Sequence, residues 1–248
     1  MSIRVPLRIA AVVALAVGAS TVCLAQPAAP APRFAVTTTH LKPDMVSEWR
    51  DLQKNEVIPA YKKAGYKERT ITQTIFGNGY EYVTITPLDK YATRDGAGTL
   101  VRALGAEAAA RLVAKLSKCV VSSHTYVSTR IPELSNAMDG PTPAITISTR
   151  YRVAAGKGQE WENFVKAEIL PVYKKAKAGY SVSRRGFGGN LNDRTTTTFA
   201  ATFAELDAGS VFNRTLGADA AAKVRAKGVG LSNVIETVVR RRVEDLSF

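Results

Sequence analysis

The chain repeats itself at a spacing of about 112 residues, and this internal duplication constrains its fold more than any other feature. Glu48-Trp49 recurs as Glu160-Trp161. The segment from Lys54 to Ala64 (KNEVIPAYKKA) recurs from Lys166 to Ala176 (KAEILPVYKKA), and Gly65-Tyr66 matches Gly179-Tyr180 after a short insertion. Arg102 to Ala110 (RALGAEAAA) returns as Arg214 to Ala222 (RTLGADAAA), and Leu134-Ser135 returns as Leu246-Ser247. The chain therefore reads as two like units, residues 34–135 and 144–248, joined by a turn-rich linker at 136–143.

Within the first unit the hydrophobic period changes in a readable order. A β-branched stretch from Phe34 to Leu41 gives way to a helical pattern from about Asp44 to Ala64. Two strand-like runs follow, Arg69 to Phe76 and Tyr80 to Thr86, with the hairpin signal Asn78-Gly79 between them. Asp95 then offers an N-cap to an Ala-rich helical region ending near Leu116 and interrupted at Gly105; Cys119 to Arg130 closes the unit as a strand. The second unit repeats the order, with Asp207 as the matching cap and a longer hairpin loop through Gly188-Gly189-Asn190.

The order β-α-β-β-α-β in about 100 residues predicts an α+β, ferredoxin-like unit, a four-stranded antiparallel sheet with both helices on one face. Its bare face must be covered, and two copies in one chain predict an intrachain pseudo-dimeric α/β barrel, monomeric with an internal pseudo-two-fold. On this element order, the first helix (EW…NEVIPAYKKAG) and the segment VTITPLDKY after the hairpin, the chain resembles the dimeric α/β-barrel proteins, with two units fused. That group includes antibiotic-biosynthesis and haem-degrading monooxygenases. The resemblance implies the fold and a ligand position between sheet and helices. It carries no catalytic motif and no catalytic residue.

Arg4 and Arg8 followed by an apolar run from Ile9 to Ala19 read as a signal peptide, residues 1–25, cleaved before Gln26. The run is far short of the ~20 residues of a membrane span. The expectation is a periplasmic or secreted protein with no integral membrane segment after processing. Residues 26–33, QPAAPAPR, are a Pro/Ala-rich spacer. Of the two cysteines, processing would leave only Cys119, which reads as a buried small hydrophobe.

The candidate chemistry lies on the first helix. Trp49, Leu52, Glu56 and Ala60 fall on one helical face, and Trp161, Phe164, Val165, Glu168 and Val172 repeat it. Glu56 and Glu168 are thus candidate general bases or ligand anchors, each one turn before a proline, Pro59 or Pro171, that is expected to kink the helix. The competing reading is a structural glutamate paired with Arg, Tyr or backbone groups; Arg102 and Arg214, or Arg130 and Arg242, are duplicated cations available for it. Candidate ligand-binding residues are Trp49, Leu52, Tyr61, Trp161, Phe164 and Tyr173, the two tyrosines placed at the edge of the stripe with their hydroxyls toward water.

Other chemistries lack their signatures. His40 and His124 both lie in the first unit and neither is repeated, which argues against a haem or metal site common to both halves, and no cofactor is expected. A net charge of +13 raises nucleic acid as a partner, and Arg185-Gly186-Phe187-Gly188 mimics the start of an RNA-recognition signature, but it precedes the hairpin and lacks further aromatics. The reading is an exported binder of a small apolar or aromatic molecule and not of nucleic acid. The alternatives are a cofactor-independent monooxygenase- or isomerase-like enzyme, and a surface-interaction module using the basic face.

Overall fold

The computed structural model describes residues 31–138, 140 and 143–248. The expected signal peptide, most of the spacer and part of the linker fall outside them. In the first half, strand β1 (Arg33–Leu41) leads to helices α1 (Val46–Leu52) and α2 (Ile58–Lys63), strands β2 (Thr70–Phe76) and β3 (Glu81–Pro87), helices α3 (Thr99–Leu104) and α4 (Ala106–Cys119), and β4 (Val120–Arg130). The second half has β5 (Ile145–Val153), α5 (Gly158–Phe164), α6 (Leu170–Lys175), β6 (Tyr180–Arg185) and β7 (Asp193–Ala200). It ends with α7 (Ala204–Asp207), α8 (Val211–Leu216), α9 (Ala218–Lys227) and β8 (Ser232–Arg242).

Among the described residues, the eight strands close into one antiparallel barrel in the order β1-β3-β2-β8-β5-β7-β6-β4. Each half contributes four consecutive strands, and the halves meet at two short seams, β2 with β8 around Thr72↔Arg242 and β4 with β6 around Ser128↔Arg185. Closure removes the sheet edges that an isolated half would expose. Alternate residues of every strand face either the lumen or the helices outside.

The segments after β4 and β8 cross the seams. Leu134, on a short 3-10 turn after β4, is buried with Trp161, Tyr173 and Val182 of the second half. Leu246, on the matching turn after β8, is buried with Trp49, Leu52 and Ile71 of the first. Backbone bonds fix both: Asn136 and Tyr180 exchange N–H donors and carbonyls, as do Phe248 and Arg69. Two aromatic contacts are also exchanged. Phe76, the last residue of β2, meets Phe203 edge-on at 5.9 Å, and Phe187, beyond β6, meets Tyr91 at 5.5 Å.

Three local expectations change. Asp95 and Asp207 are not helix caps: Asp95 follows a 3-10 turn and Asp207 ends α7. Gly98 precedes α3, and Ser210 caps α8 by accepting a hydrogen bond from the Asn213 N–H. The prolines do not simply kink the first helix of each half. They follow π-helical turns, Gln53–Val57 and Val165–Ile169, in which Ile58 donates to the Gln53 carbonyl and Leu170 to that of Val165. Proline has no N–H to continue the regular ladder, and the wider turn absorbs the mismatch.

Candidate ligand pockets on the two faces of the barrel sheet

The π turn decides where the predicted site residues go. An extra residue in the turn sets everything beyond it back by about one position, so Val57, not Glu56, continues the buried stripe begun by Trp49, Leu52 and Gln53. Glu56 is turned aside to pair with Lys115 on α4 at 2.9 Å. Glu168 pairs in the same way with Lys227 on α9 at 2.7 Å. Their side chains are 38% and 28% exposed, so neither carboxylate sits in a desolvated pocket. The partners are lysines, not the arginines expected, and both lysines are repeated along with the glutamates.

The aromatic residues divide between the halves. Trp161 and Tyr173 are buried in the second-half core, and Phe164 packs against it. Tyr173 is not an edge residue; it stacks on Tyr180 at 4.4 Å, and burial pushes its hydroxyl up to about 12. Trp49 and Tyr61 instead line a cavity of about 290 Å³ between the first-half sheet and its helices, while Leu52 lies in the core beside it.

That cavity contains a group that the sequence reading missed. Arg69, only 5% exposed, lines it with its guanidinium 4.8 Å above the Tyr61 ring. One terminal nitrogen donates to Gln53 Oε1 at 3.0 Å, whereas Nε and the other terminal nitrogen are buried without a partner. Burial pulls this guanidinium below its ordinary value, with Tyr61 acting in the opposite sense. Gln53 can reach it because the π turn brings Gln53 onto the buried face. Arg94, Tyr66 and threonines of β1 and β3 complete the wall, and no Asp, Glu or His is among its described residues.

The strand register shows how the halves differ here. Thr70 pairs with Ile85 and Ser181 with Thr197, so Tyr180 occupies the place of Arg69, and the sequence match of Tyr180 to Tyr66 is not the structural one. The second half carries Val165 and Tyr180 where the first carries Gln53 and Arg69. One half fills the position with an aromatic stack; the other leaves a cation facing a cavity. Comparing Gln53 with Val165 in the repeat would have exposed this polar-for-apolar exchange.

The second cavity, about 500 Å³, is the barrel lumen. Its wall includes Ser and Thr from most strands, Tyr126, Phe34 and Phe199, and Arg130, Arg150, Arg185 and Arg240. Arg240 donates to Glu81 at 2.8 Å, and Thr74 donates to the same oxygen at 2.7 Å. Burial alone would raise the Glu81 carboxyl, but these bonds and the charges of Arg240 and His40 bring it below the ordinary value. Arg150 pairs with Glu236 at 2.9 Å and with Asp193, which also holds Arg152. Arg185 lies 3.9 Å above the Tyr126 ring. His40 lies between Ser122, 3.0 Å from Nδ1, and Glu81, 3.2 Å from Nε2, while His124 Nε2 donates to the Gly188 carbonyl at 2.7 Å, so the two imidazoles have different partners.

No protein-family model and no curated protein matches the chain. Solved structures do match its fold. A protein from Lactobacillus acidophilus provisionally named a monooxygenase aligns at TM-score 0.54 and 11% identity over 86% of this chain and 93% of its own. An anthrone oxidase-like protein aligns at 0.52 and 9% identity, covering 86% and 91%. A chlorite dismutase variant from Candidatus Nitrospira defluvii aligns at 0.52 and 10% identity, covering 86% and 93%. The chain thus has the α+β architecture of the dimeric α/β-barrel proteins.

Haem, raised by the resemblance to haem-degrading monooxygenases, needs an axial nitrogen, sulfur or phenolate donor. Among the described residues, the helix-facing cavity has no His, Cys or Met in its wall. Tyr61 is covered by Arg69, and the Tyr66 hydroxyl is hydrogen-bonded with Thr99 at 3.3 Å. These residues do not fit a haem.

Proposed function

We propose that this protein binds a small molecule in the helix-facing pocket of its first half, and that the ligand is a compact aromatic compound carrying an anionic group. The observation that carries the reading is Arg69, a buried cation with two unpartnered nitrogens in the wall of a cavity. An unpaired buried charge is costly, and an oxyanion accepting from one of these nitrogens would offset part of that cost. Tyr61, Tyr66 and Trp49 supply the aromatic wall, in keeping with the aromatic ligand expected from the sequence. No described wall residue is a carboxylate or imidazole able to serve as a base, which places binding ahead of the monooxygenase- or isomerase-like alternative that the neighbours' names favour.

The reading extends to the whole chain. The protein is a tandem of ferredoxin-like units, 34–135 and 144–248, whose second copy has kept the scaffold and filled its pocket. It is exported and cleaved after Ala25, a reading supported by Arg4, Arg8 and the apolar run from Ile9 to Ala19.

Thermal shift and titration calorimetry with benzoate and salicylate, against benzamide as the neutral control, test the pocket. The anions are expected to stabilise the protein and the amide is not, and Arg69→Gln should abolish the difference. Equal stabilisation of wild type and Arg69→Gln by benzoate would sink the assignment.

A further inference from the structure

The two seams of the barrel each carry two arginines but differ in how these are neutralised. At the β2–β8 seam, Arg240 stands opposite Thr74 and Arg242 opposite Thr72. At the β4–β6 seam, Arg185 stands opposite Ser128 and Arg130 opposite Ser183. Each seam therefore has two arginines, both on β8 at the first and one on each strand, diagonally placed, at the second. At the first seam both are paired, Arg240 with Glu81 at 2.8 Å and Arg242 with Glu244 at 3.2 Å. At the second, neither Arg130 nor Arg185 makes an ion pair among the described residues.

The missing carboxylates have identifiable causes. Glu244 lies two residues after Arg242, but the residue two after Arg130 is Pro132, which has no charge to offer. The second-half counterpart of Glu81 is Asp193, and Asp193 is consumed by Arg150 and Arg152. Two guanidiniums are thus left without a carboxylate in the wall of the lumen; Arg185 Nε is buried and unpartnered, as are the Nε atoms of Arg240 and Arg242 at the first seam. Tyr126 lies beneath Arg185, and Phe34 stands opposite Ser128 on the neighbouring strand. The lumen wall reaches solvent at the exposed residues His124 and Glu236.

From this asymmetry we infer that the lumen at the β4–β6 seam is a second ligand site, specific for a small organic molecule with a doubly charged oxyanion head. Arg130 and Arg185 bind the head, the planar guanidinium forks matching phosphate or paired carboxylates. Ser128 and Ser183, between them in the register, offer hydroxyl donors, and Tyr126 and Phe34 receive the organic body. The site is separate from the Arg69 pocket, because successive residues of a strand face opposite sides of the sheet. It does not depend on that pocket having a ligand.

The test uses the full chain with arginine labelled for observation of its Nε–H resonances. Phenyl phosphate and phthalate are the dianionic probes; benzoate is the monoanion and dimethyl phthalate the neutral control. One dianion or both should shift the Arg185 resonance, and the tighter of them identifies the head group as phosphate ester or dicarboxylate. Arg185→Gln and Arg130→Gln should each weaken that probe at least tenfold, and Arg69→Gln should leave its Kd unchanged. Dimethyl phthalate or benzoate binding as tightly as the dianions would overturn the inference. So would an Arg185 resonance unmoved at saturation, a readout that needs no variant to fold.

Discussion

Arg69 and Tyr180 hold the same position in the two halves of the barrel, one a buried cation over Tyr61 and the other stacked on Tyr173. The partner on the helix changes with it, Gln53 in the first half and Val165 in the second. A polar pair and an apolar pair solve the same packing problem. The polar one leaves hydrogen-bonding capacity over, and that surplus makes the first-half pocket the better candidate for recognition.

Converting one solution into the other is therefore informative. The double change Gln53→Val with Arg69→Tyr should leave stability unchanged or raise it by up to ~1–4 kcal/mol, as replacement of buried charged groups by apolar ones commonly does. Gln53→Val alone should cost roughly 1–3 kcal/mol by removing the one acceptor that Arg69 has. Urea unfolding of the single and double variants gives the coupling directly. Additive costs would show that the two residues do not act as a pair.

The duplicated glutamates should contribute little. Glu56→Gln and Glu168→Gln break partly exposed ion pairs to Lys115 and Lys227, for which the expected cost is below about 1 kcal/mol each. Denaturation midpoints in low and high salt check this. A loss of several kcal/mol would place the carboxylates in a dry environment that this geometry excludes.

Truncating the exchanged leucines should do far more damage. Leu134→Ala and Leu246→Ala each open a cavity in a closed core, at a cost of about 2–5 kcal/mol. Residues 31–135 expressed alone should fail to give a cooperative monomer, because Leu246 and the Phe248–Arg69 bonds are absent and two strand edges are bare. Circular dichroism and sedimentation of that fragment decide the matter, a sharp monomeric transition being the adverse result.

Alkaline pH should weaken the second half. The Tyr173 hydroxyl is pushed up to about 12 in the folded protein, against roughly 10 for an exposed tyrosine. The folded state thus holds this proton more tightly, so the stabilisation is fully present below about pH 10 and is lost as pH rises toward 12. Tyr173→Phe should flatten that part of the profile, by a loss approaching ~2–3 kcal/mol at its upper end. Chemical unfolding between pH 9 and 11.5, with absorbance at 295 nm following ionisation, measures it; an identical slope in the variant would refute the assignment.

Sequence periodicity located the strands closely, because alternation and the Asn78-Gly79 turn are local signals; Arg69 to Phe76 differs from β2 by one residue. Barrel closure follows from a global requirement, covering the open sheet face, that the repeat also made legible. The sidedness of Glu56 was not legible, since a regular helical wheel cannot anticipate the π turn. Nor was the importance of Arg69, because a cation at the start of a strand normally reads as exposed. Asp95 and Asp207 misled for a related reason: capping preference is weak, and Gly98 and Ser210 stand closer to where the helices begin.

The exchanged tails also dictate an order of events during synthesis. The Ile71 N–H donates its hydrogen bond to the hydroxyl of a serine 176 positions later, and the first-half core waits for Leu246 from the same segment. A ribosome that has finished the first half has therefore not yet made the residues that close it. The growing polypeptide must stay open, and prone to capture by chaperones or by its own strand edges, until almost the last of these residues emerges.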